Sequence, residues 1–232
     1  MWGWVEKHPT WGQSTQNAAL TRTVAMFRWA VEEERLTLNP LQSLRKPPQR
    51  SRGAEAVITP DEHARLMEAA TPALRDVLFA LRVSGCRPSE ATSVTAADFH
   101  GEQAVWILHS HKTAAETGKP RIVYLTPELV TLCRSLAKRY PTGPLFRTSK
   151  GKPWGWCSIA KRVRVLRLRL GIKGVMPYGY RHSFATDALA NGVPDAHVAE
   201  LLGHSRTAML HRHYAHLTAK AKVLREALGK VR

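Results

Sequence analysis

The stretch from residue 178 to residue 217 contains three side chains that could act together on a phosphate. Arg181, His204 and Tyr214 lie along a sequence that otherwise has the pattern of helices. A guanidinium binds phosphate oxygens bidentately, an imidazole donates a hydrogen bond, and a tyrosine hydroxyl can be a nucleophile. The set therefore predicts phosphate chemistry, although each of the three residues alone would indicate little.

A second arginine, Arg87, follows a predicted helix that ends at Gly85, and Ser89 and Glu90 come just after it. Attack on a phosphodiester builds negative charge on the non-bridging oxygens, so cations or fixed donors must point there. Arg87 and Arg181 fit that role. Taken alone, Arg87 would more often be a surface or salt-bridged arginine.

A lysine on a predicted hairpin could protonate the leaving oxygen. Residues 104–108 and 121–125 are β-branched and aromatic runs separated by a polar loop, which predicts two strands. An ammonium held in that loop could be the general acid. Lys112 is our candidate and Lys119 is the alternative, while a plain phosphate contact is the simpler interpretation of either.

Five sequence boxes resemble those of the tyrosine recombinase, or phage integrase, family. In chain order they are SGCRPSE, HKT, GYRHSFAT, AELLGH and HYAHL. The resemblance, which covers roughly residues 14–220, implies an integrase-like catalytic domain, mainly α with a small antiparallel β-sheet (α+β). It also implies a site-specific recombinase that cuts one DNA strand at a time and stores the bond as a 3′-phosphotyrosine. No metal or other cofactor is expected.

The resemblance gives each site residue a role. It makes Tyr214 the nucleophile and His204 a donor to the phosphate, although a packed core tyrosine and a helix-capping histidine are the structural alternatives. The other tyrosines are weaker nucleophile candidates because none follows an L-G-H box. The catalytic set is Tyr214, Arg87, Arg181, His204 and Lys112, with Glu90 and His182 as supporting residues.

One position departs from the family pattern. Where the family usually has a histidine three residues before the second arginine, this chain has Tyr178. A phenol can donate a hydrogen bond to a phosphate oxygen, but it neither gains a proton near neutral pH nor accepts one readily. We therefore expect cleavage that is slower or has a shifted pH optimum.

The basic composition predicts a polyanionic partner. The chain has 35 Lys and Arg residues against 18 Asp and Glu residues, a formal net charge of +17. Such an imbalance favours nucleic acid and makes binding salt-sensitive. The resemblance implies that this nucleic acid is double-stranded DNA. An RNA-binding protein would have the same charge, so charge alone indicates a class of partner and no reaction.

Two basic segments are candidates for contact with the DNA backbone. Residues 45–52 combine prolines with four cations and no apolar residue, which indicates an extended linker; a solvated tether is the alternative. Residues 158–170 form a predicted helix with five cations and no acid, unlike the alternating signs of a salt-bridged surface. The candidates are Arg45, Lys46, Arg50, Arg52, Lys161, Arg162, Arg164 and Arg167.

The chain divides into two unequal predicted modules. Leu20, Val24, Phe27 and Val31 have helical spacing, and the apolar residues before them are too few to close a helical domain. The resemblance implies that the first module is the end of a helical core-binding domain whose earlier helices are missing here. Either the chain is a fragment of a longer protein, or this domain is reduced. The assignment is 1–44 for that module, 45–56 for a basic linker and 57–232 for the catalytic domain.

Helix starts are marked by threonine and proline. Thr59 and Pro60, with Glu62 closing a capping box, predict one helix, and Thr126 with Pro127 predicts another. Two further helices are predicted at 182–190 and 195–203.

Three cysteines without a C-x-x-C pair support neither a disulfide framework nor a zinc site. We interpret Cys86, Cys133 and Cys157 as reduced, buried residues of a cytoplasmic protein. The N-terminus lacks the apolar region of a signal peptide, and no run is long enough to span a membrane.

Two other functions remain open at this point. One is a DNA-binding relic of an integrase without catalysis, and the other is a relaxing enzyme similar to type IB topoisomerases. The family acts as tetramers on two synapsed duplexes, so a homo-tetramer is expected. A last basic helix at 218–230 could dock into a neighbouring subunit or fold back on its own.

Overall fold

The computed structural model describes residues 2–46, 57–110 and 118–204, and the chain divides into two compact units, Met1–Ser51 and Arg52–Arg232. The first unit contains α1 (Trp2–Glu6) and α2 (Gln13–Glu32), which confirms the long predicted helix. Val5 and Leu20 are its buried apolar side chains, whereas Met26 and Trp29 are exposed.

The second unit is mainly helical with one small sheet, as predicted. Its elements in chain order are α3 (Pro60–Ala69), α4 (Pro72–Ser84), α5 (Pro88–Ser93), β1 (Phe99–His100), β2 (Val105–Leu108), β3 (Arg121–Tyr124), α6 (Pro127–Arg139), α7 (Trp156–Arg169), α8 (Gly179–Ala190) and α9 (Asp195–Leu202). The short α5 and β1 were not expected from the sequence. No helix among these elements, or in the described part of the first unit, is both long and apolar enough to cross a bilayer.

Helix α3 begins with the predicted capping box. The Thr59 hydroxyl accepts a hydrogen bond from the Glu62 backbone N–H at 3.2 Å, and the Glu62 carboxylate accepts one from the Thr59 N–H at 2.9 Å. Two N–H groups at the helix start, those of Thr59 and Glu62, are therefore satisfied by side chains.

The sheet is antiparallel in the order β1-β2-β3. Val105 pairs with Tyr124, and Leu108 pairs with Arg121. Side chains on β3 alternate, so that Arg121 and Val123 are buried while Ile122 and Tyr124 are exposed. This alternation places a charged residue, Arg121, on the buried face of the sheet.

The main core lies between the sheet and the helices around it. Four residues of α4 that were predicted to share one face, Leu74, Val77, Leu78 and Leu81, are all buried there. A second, smaller cluster joins α8 to α9 and contains Ala185, Val198, Ala199 and Leu202. This small cluster positions the end of α9, where the L-G-H box lies.

The three cysteines are free, but one of them differs from the prediction. Cys86 and Cys133 are buried, and burial raises the pKa of each thiol to about 12. Cys157 is exposed, so its predicted burial is wrong. It lies in the first turn of α7, whose buried face is formed by Ile159 and Val163 instead.

Candidate active site

Arg87 is held at the start of α5 by Glu90. Helix α4 ends at Gly85, whose φ of +61° is left-handed, and the chain then turns directly into Arg87. The backbone N–H of Arg87 donates to one oxygen of Glu90 at 2.8 Å, and its Nη1 donates to the other at 2.7 Å. Since Glu90 is only 4% exposed, this ion pair is largely shielded from solvent and fixes the guanidinium.

Arg181 lies in the first turn of α8 and is 2% exposed. Its Nη1 donates to the Gly85 carbonyl at 3.0 Å, and its Nη2 donates to the Leu202 carbonyl at 2.6 Å. Burial and the nearby Arg87 lower the pKa of Arg181, while Tyr178 and Glu90 raise it. Because arginine starts from a very high pKa, the group stays a cation at neutral pH.

The L-G-H box ends α9 in a Schellman motif. Gly203 has a φ of +64°, its N–H donates to the Glu200 carbonyl at 2.8 Å, and the His204 N–H donates to the Ala199 carbonyl at 2.9 Å. The Gly203 carbonyl in turn accepts a hydrogen bond from Nη2 of Arg87 at 3.3 Å. The backbone that leads into His204 is therefore fixed against the first arginine.

A third arginine, Arg121 of β3, also lies in this cluster. Its sequence pattern predicted no role for it. Its Nη2 donates to the Leu201 carbonyl at 2.6 Å, and its Nε lies 3.8 Å from the Glu90 carboxylate. Burial lowers the pKa of Arg121, and the adjacent Glu90 opposes that change. One signal for a buried Arg121 was present in the sequence. It lies two residues before Val123 in the predicted strand, so the two side chains lie on the same face of the sheet.

Tyr178 occupies the residue before α8 and is 43% exposed. Its ring packs edge-on against His182 with a centroid distance of 5.4 Å. The Tyr178 carbonyl accepts a hydrogen bond from the Arg181 backbone N–H at 3.2 Å, and Tyr178 raises the pKa of Arg181. An accessible hydroxyl beside a buried cation could donate to the same phosphate.

A sequence model of the phage integrase family matches residues 56–221. The chain belongs to the phage integrase family. The match includes the Gly85 turn, the hairpin, and the ends of α8 and α9, which are the parts that form the cluster above.

Named relatives in this family are recombinases. The tyrosine recombinase XerC of Rhizobium meliloti (strain 1021) is 34% identical over 162 residues, which is 66% of this chain and 49% of the relative. XerC of Rhodospirillum centenum is 29% identical over 87% of this chain and 62% of its own length. XerD of Staphylococcus aureus (strain Mu50) is 30% identical over 87% and 73%. This integrase-family chain thus spans about half to three quarters of these relatives.

Solved structures share the integrase fold. The crystal structure of XerA recombinase is 24% identical with a TM-score of 0.59, over 96% of this chain and 77% of that one. The Tn1549 transposon integrase in complex with circular intermediate DNA is 18% identical with a TM-score of 0.75, over 100% and 84%. The expectation of a mainly α integrase-like domain with a small antiparallel sheet is confirmed.

The structure brings together some residues of the integrase boxes. Arg87, Glu90 and Arg181 meet at the end of α9, directly before His204. Lys112 and Tyr214 lie outside the described residues, and so do Arg50 and Arg52. The alternative lysine, Lys119, is exposed in the hairpin loop. The other basic candidates on the described chain are exposed Arg45, Lys46, Lys161, Arg162 and Arg164, and half-buried Arg167.

Proposed function

We propose that this chain is a site-specific DNA recombinase that cleaves and rejoins DNA through a 3′-phosphotyrosine. One observation carries the proposal: the side chains of Arg87 and Arg181 converge on consecutive carbonyls, those of Gly203 and Leu202, immediately before His204. Three boxes that are far apart in the sequence therefore meet at one place. A metal or another cofactor is not needed for the reaction proposed below.

The proposed reaction conserves the phosphodiester bond energy. The Tyr214 hydroxyl gives its proton to solvent water and attacks the phosphorus, forming a bond between the tyrosine oxygen and phosphorus as the bond to the 5′ oxygen breaks. Lys112 supplies the proton that the leaving 5′ oxygen needs. In the reverse direction the 5′-hydroxyl of another strand attacks the phosphotyrosine, which releases the tyrosine and rejoins the DNA.

Arg87 and Arg181 retain donors for the phosphate. A guanidinium has five N–H groups, and each Nη carries two of them. In the described part of the chain, the hydrogen bonds use one N–H on each Nη of these arginines, which leaves a second N–H on each nitrogen for a non-bridging oxygen. His204 and Tyr178 add further donors, and Glu90 with His182 supports the arrangement. Losing one such donor typically slows a reaction ~10²–10³-fold.

The proposed partner is double-stranded DNA, and the proposed assembly is a homo-tetramer on two synapsed duplexes. Structures with this fold include a lambda integrase dimer on a core site and a lambda integrase tetramer on a Holliday junction. The exposed cations of α7, Lys161, Arg162 and Arg164, would neutralise backbone phosphates. A protein with this partner would act in the cytoplasm.

The domain assignment follows from the same proposal. We place the end of a helical core-binding domain at residues 1–44, a basic linker at 45–56 and the catalytic domain at 57–232. Met26 and Trp29 leave exposed apolar surface on α2.

Nicked duplex substrates test the enzymatic function. A nick near the cleavage position releases the 5′ fragment and traps a covalent protein and DNA adduct. We expect the wild type to form this adduct on its target and Tyr214→Phe to form none. Tyr140→Phe is the matched control, because that tyrosine packs between Arg139 and Arg147 instead, and it should cleave normally.

Two results would contradict the proposal. Tight binding without any adduct from the wild type would indicate the non-catalytic relic, which the named recombinase relatives do not favour. Relaxation of supercoiled plasmid without site preference would instead indicate a topoisomerase-like enzyme that shares the tyrosine chemistry.

A further inference from the structure

We propose that Arg121 is a positioning residue, which holds the end of α9 so that His204 faces the reacting phosphate. This inference rests on the recombinase function proposed above. In this proposal Arg121 acts on the backbone at the end of α9 and does not itself contact DNA.

The end of α9 is unusual in how its carbonyls are satisfied. The last carbonyls of a helix have no partner within the helix. Here four successive carbonyls, from Glu200 to Gly203, each accept a hydrogen bond from a guanidinium. The donors are Arg121 to Glu200 at 3.3 Å and to Leu201 at 2.6 Å, Arg181 to Leu202 at 2.6 Å, and Arg87 to Gly203 at 3.3 Å. Cations also suit this end of a helix because its dipole is negative there.

Arg121 differs from the other two arginines in how fully its donors are committed. Nη1 donates to the Glu200 carbonyl and also to the carbonyl of Ile122, Nη2 donates to Leu201, and Nε faces Glu90 at 3.8 Å. The side chain is only 6% exposed. Three of its guanidinium N–H groups donate to backbone carbonyls, whereas Arg87 and Arg181 each donate two hydrogen bonds in the described part of the chain. This larger commitment to protein groups fits positioning.

The absence of a side chain at Gly203 leaves room for this guanidinium. A Cβ on Gly203 would lie 2.6 Å from Nε and 2.8 Å from Cδ and Cζ of Arg121. The arginine thus packs directly on the glycine of the L-G-H box. The residue that precedes His204 is fixed by its own left-handed φ, by the hydrogen bond from Arg87 and by this contact.

Glu90 couples Arg121 to the first arginine. Its carboxylate lies 2.7 Å from Arg87 and 3.8 Å from Arg121, and it is buried between them. A shift of Arg121 would therefore disturb the end of α9 and the counterion of Arg87 together. Lysine cannot replace this residue, because a single ammonium cannot reproduce the planar fork that spans Glu200 and Leu201.

Arg121→Lys and Arg121→Met test the inference with two readouts. The first is hydrogen exchange of the Gly203 and His204 amides, which donate within the Schellman motif. We expect exchange to accelerate in both variants. The second is the rate of adduct formation on a nicked duplex, which we expect to fall ~10²-fold, the usual effect of small misplacements in an active site. Affinity for the same duplex should not change, because Arg121 is proposed to bind protein carbonyls and not the DNA.

Arg147→Lys is the matched control. Arg147 also donates to three backbone carbonyls, those of Thr142, Pro144 and Gly151, in a loop that contains none of the proposed site residues. It should lose stability without exposing the Gly203 and His204 amides or slowing adduct formation.

Three outcomes would overturn the inference. One is wild-type cleavage in both Arg121 variants, and another is unchanged protection of the two amides. The third is an equal loss of cleavage in Arg147→Lys, which would indicate general destabilisation. If the wild type itself forms no adduct, the proposed function fails, but amide exchange still decides whether Arg121 fixes the end of α9.

Discussion

At the scale of single residues, the site combines two kinds of side chain. Arg181 and Glu90 are almost fully buried and hydrogen-bonded to protein, so their positions are set before any substrate arrives. Tyr178 is exposed, and its ring packs edge-on against His182. A buried group is costly to move, whereas an exposed phenol can adjust to a ligand.

Substitution of Tyr178 tests its role as a donor. Tyr178→Phe removes the hydroxyl and keeps the ring against His182, and we expect adduct formation on a nicked duplex to slow ~10²-fold. Tyr178→His places a group with a pKa near ~6.5 at this position, so its pH–rate profile should differ from that of the wild type in that range. A wild-type rate for Tyr178→Phe would show that the hydroxyl has no part in cleavage.

Gly85 is a second residue with a specific requirement. Its φ is +61°, and a Cβ there would lie 2.5 Å from Cδ1 of Phe184 and 3.1 Å from Leu202. We expect Gly85→Ala to lower the free energy of unfolding by ~1–2 kcal/mol from the left-handed backbone and by a further ~1–3 kcal/mol from overpacking.

Gly171→Ala is the control for that measurement. Gly171 has a similar φ of +67° but open space around it, so it should show the backbone cost alone in urea unfolding. Equal losses in the two variants would mean that Phe184 moves aside at no cost.

At the scale of elements, local sequence signals and observed helix ends agree where a side chain caps the helix. Thr59 and Thr71 both precede a proline and both begin a helix, but only Thr59 accepts a side-chain capping hydrogen bond. The type of residue three positions on does not explain this difference, because Thr126 accepts a capping bond from the backbone N–H of Leu129 at 3.4 Å. Glu62 instead adds the second hydrogen bond of the capping box, in which its carboxylate accepts from the Thr59 N–H.

This pair of threonines offers a matched test of capping. Thr59→Ala should lower the free energy of unfolding by ~1 kcal/mol, because the Glu62 N–H at the start of α3 loses its partner. Thr71→Ala, which removes no capping bond, should cost clearly less. Urea denaturation of both variants measures the difference, and an equal loss would mean that the capping box adds nothing.

At the scale of the whole molecule, several buried groups keep their protons to a higher pH in the folded chain than in the unfolded chain. Burial raises the pKa of the Cys86 and Cys133 thiols to about 12 and also raises the pKa of Tyr180. Above the ordinary thiol pKa of 9.0, the unfolded chain releases protons that the folded chain keeps. The folded state then binds more protons, so its stability falls as pH rises.

We therefore expect these groups to make their full contribution to the free energy of unfolding below pH about 9 and to lose it progressively up to pH about 12. Each thiol contributes a slope of up to ~1.4 kcal/mol per pH unit in that window. Urea unfolding at successive pH values measures the slope. Cys133→Ala should reduce it, whereas Cys157→Ser, which replaces an exposed thiol, should not. A flat profile would contradict the effect of burial.

The sequence by itself determined the elements and the types of residue in the site. Capping threonines, helical and alternating periodicity, and the glycines at 85 and 203 act on neighbours within a few positions, so they could be interpreted without a fold. The proposed roles of Lys112 and Tyr214 also come from sequence patterns.

Only the tertiary structure decided which side chains meet. Arg181 binds a carbonyl 96 residues away, and Arg121 binds carbonyls 79 and 80 residues away. The inward direction of Arg121 and the outward direction of Cys157 depend on how β3 and α7 are rotated against the core. Such rotations result from packing over the whole unit, and no short stretch of sequence contains that information.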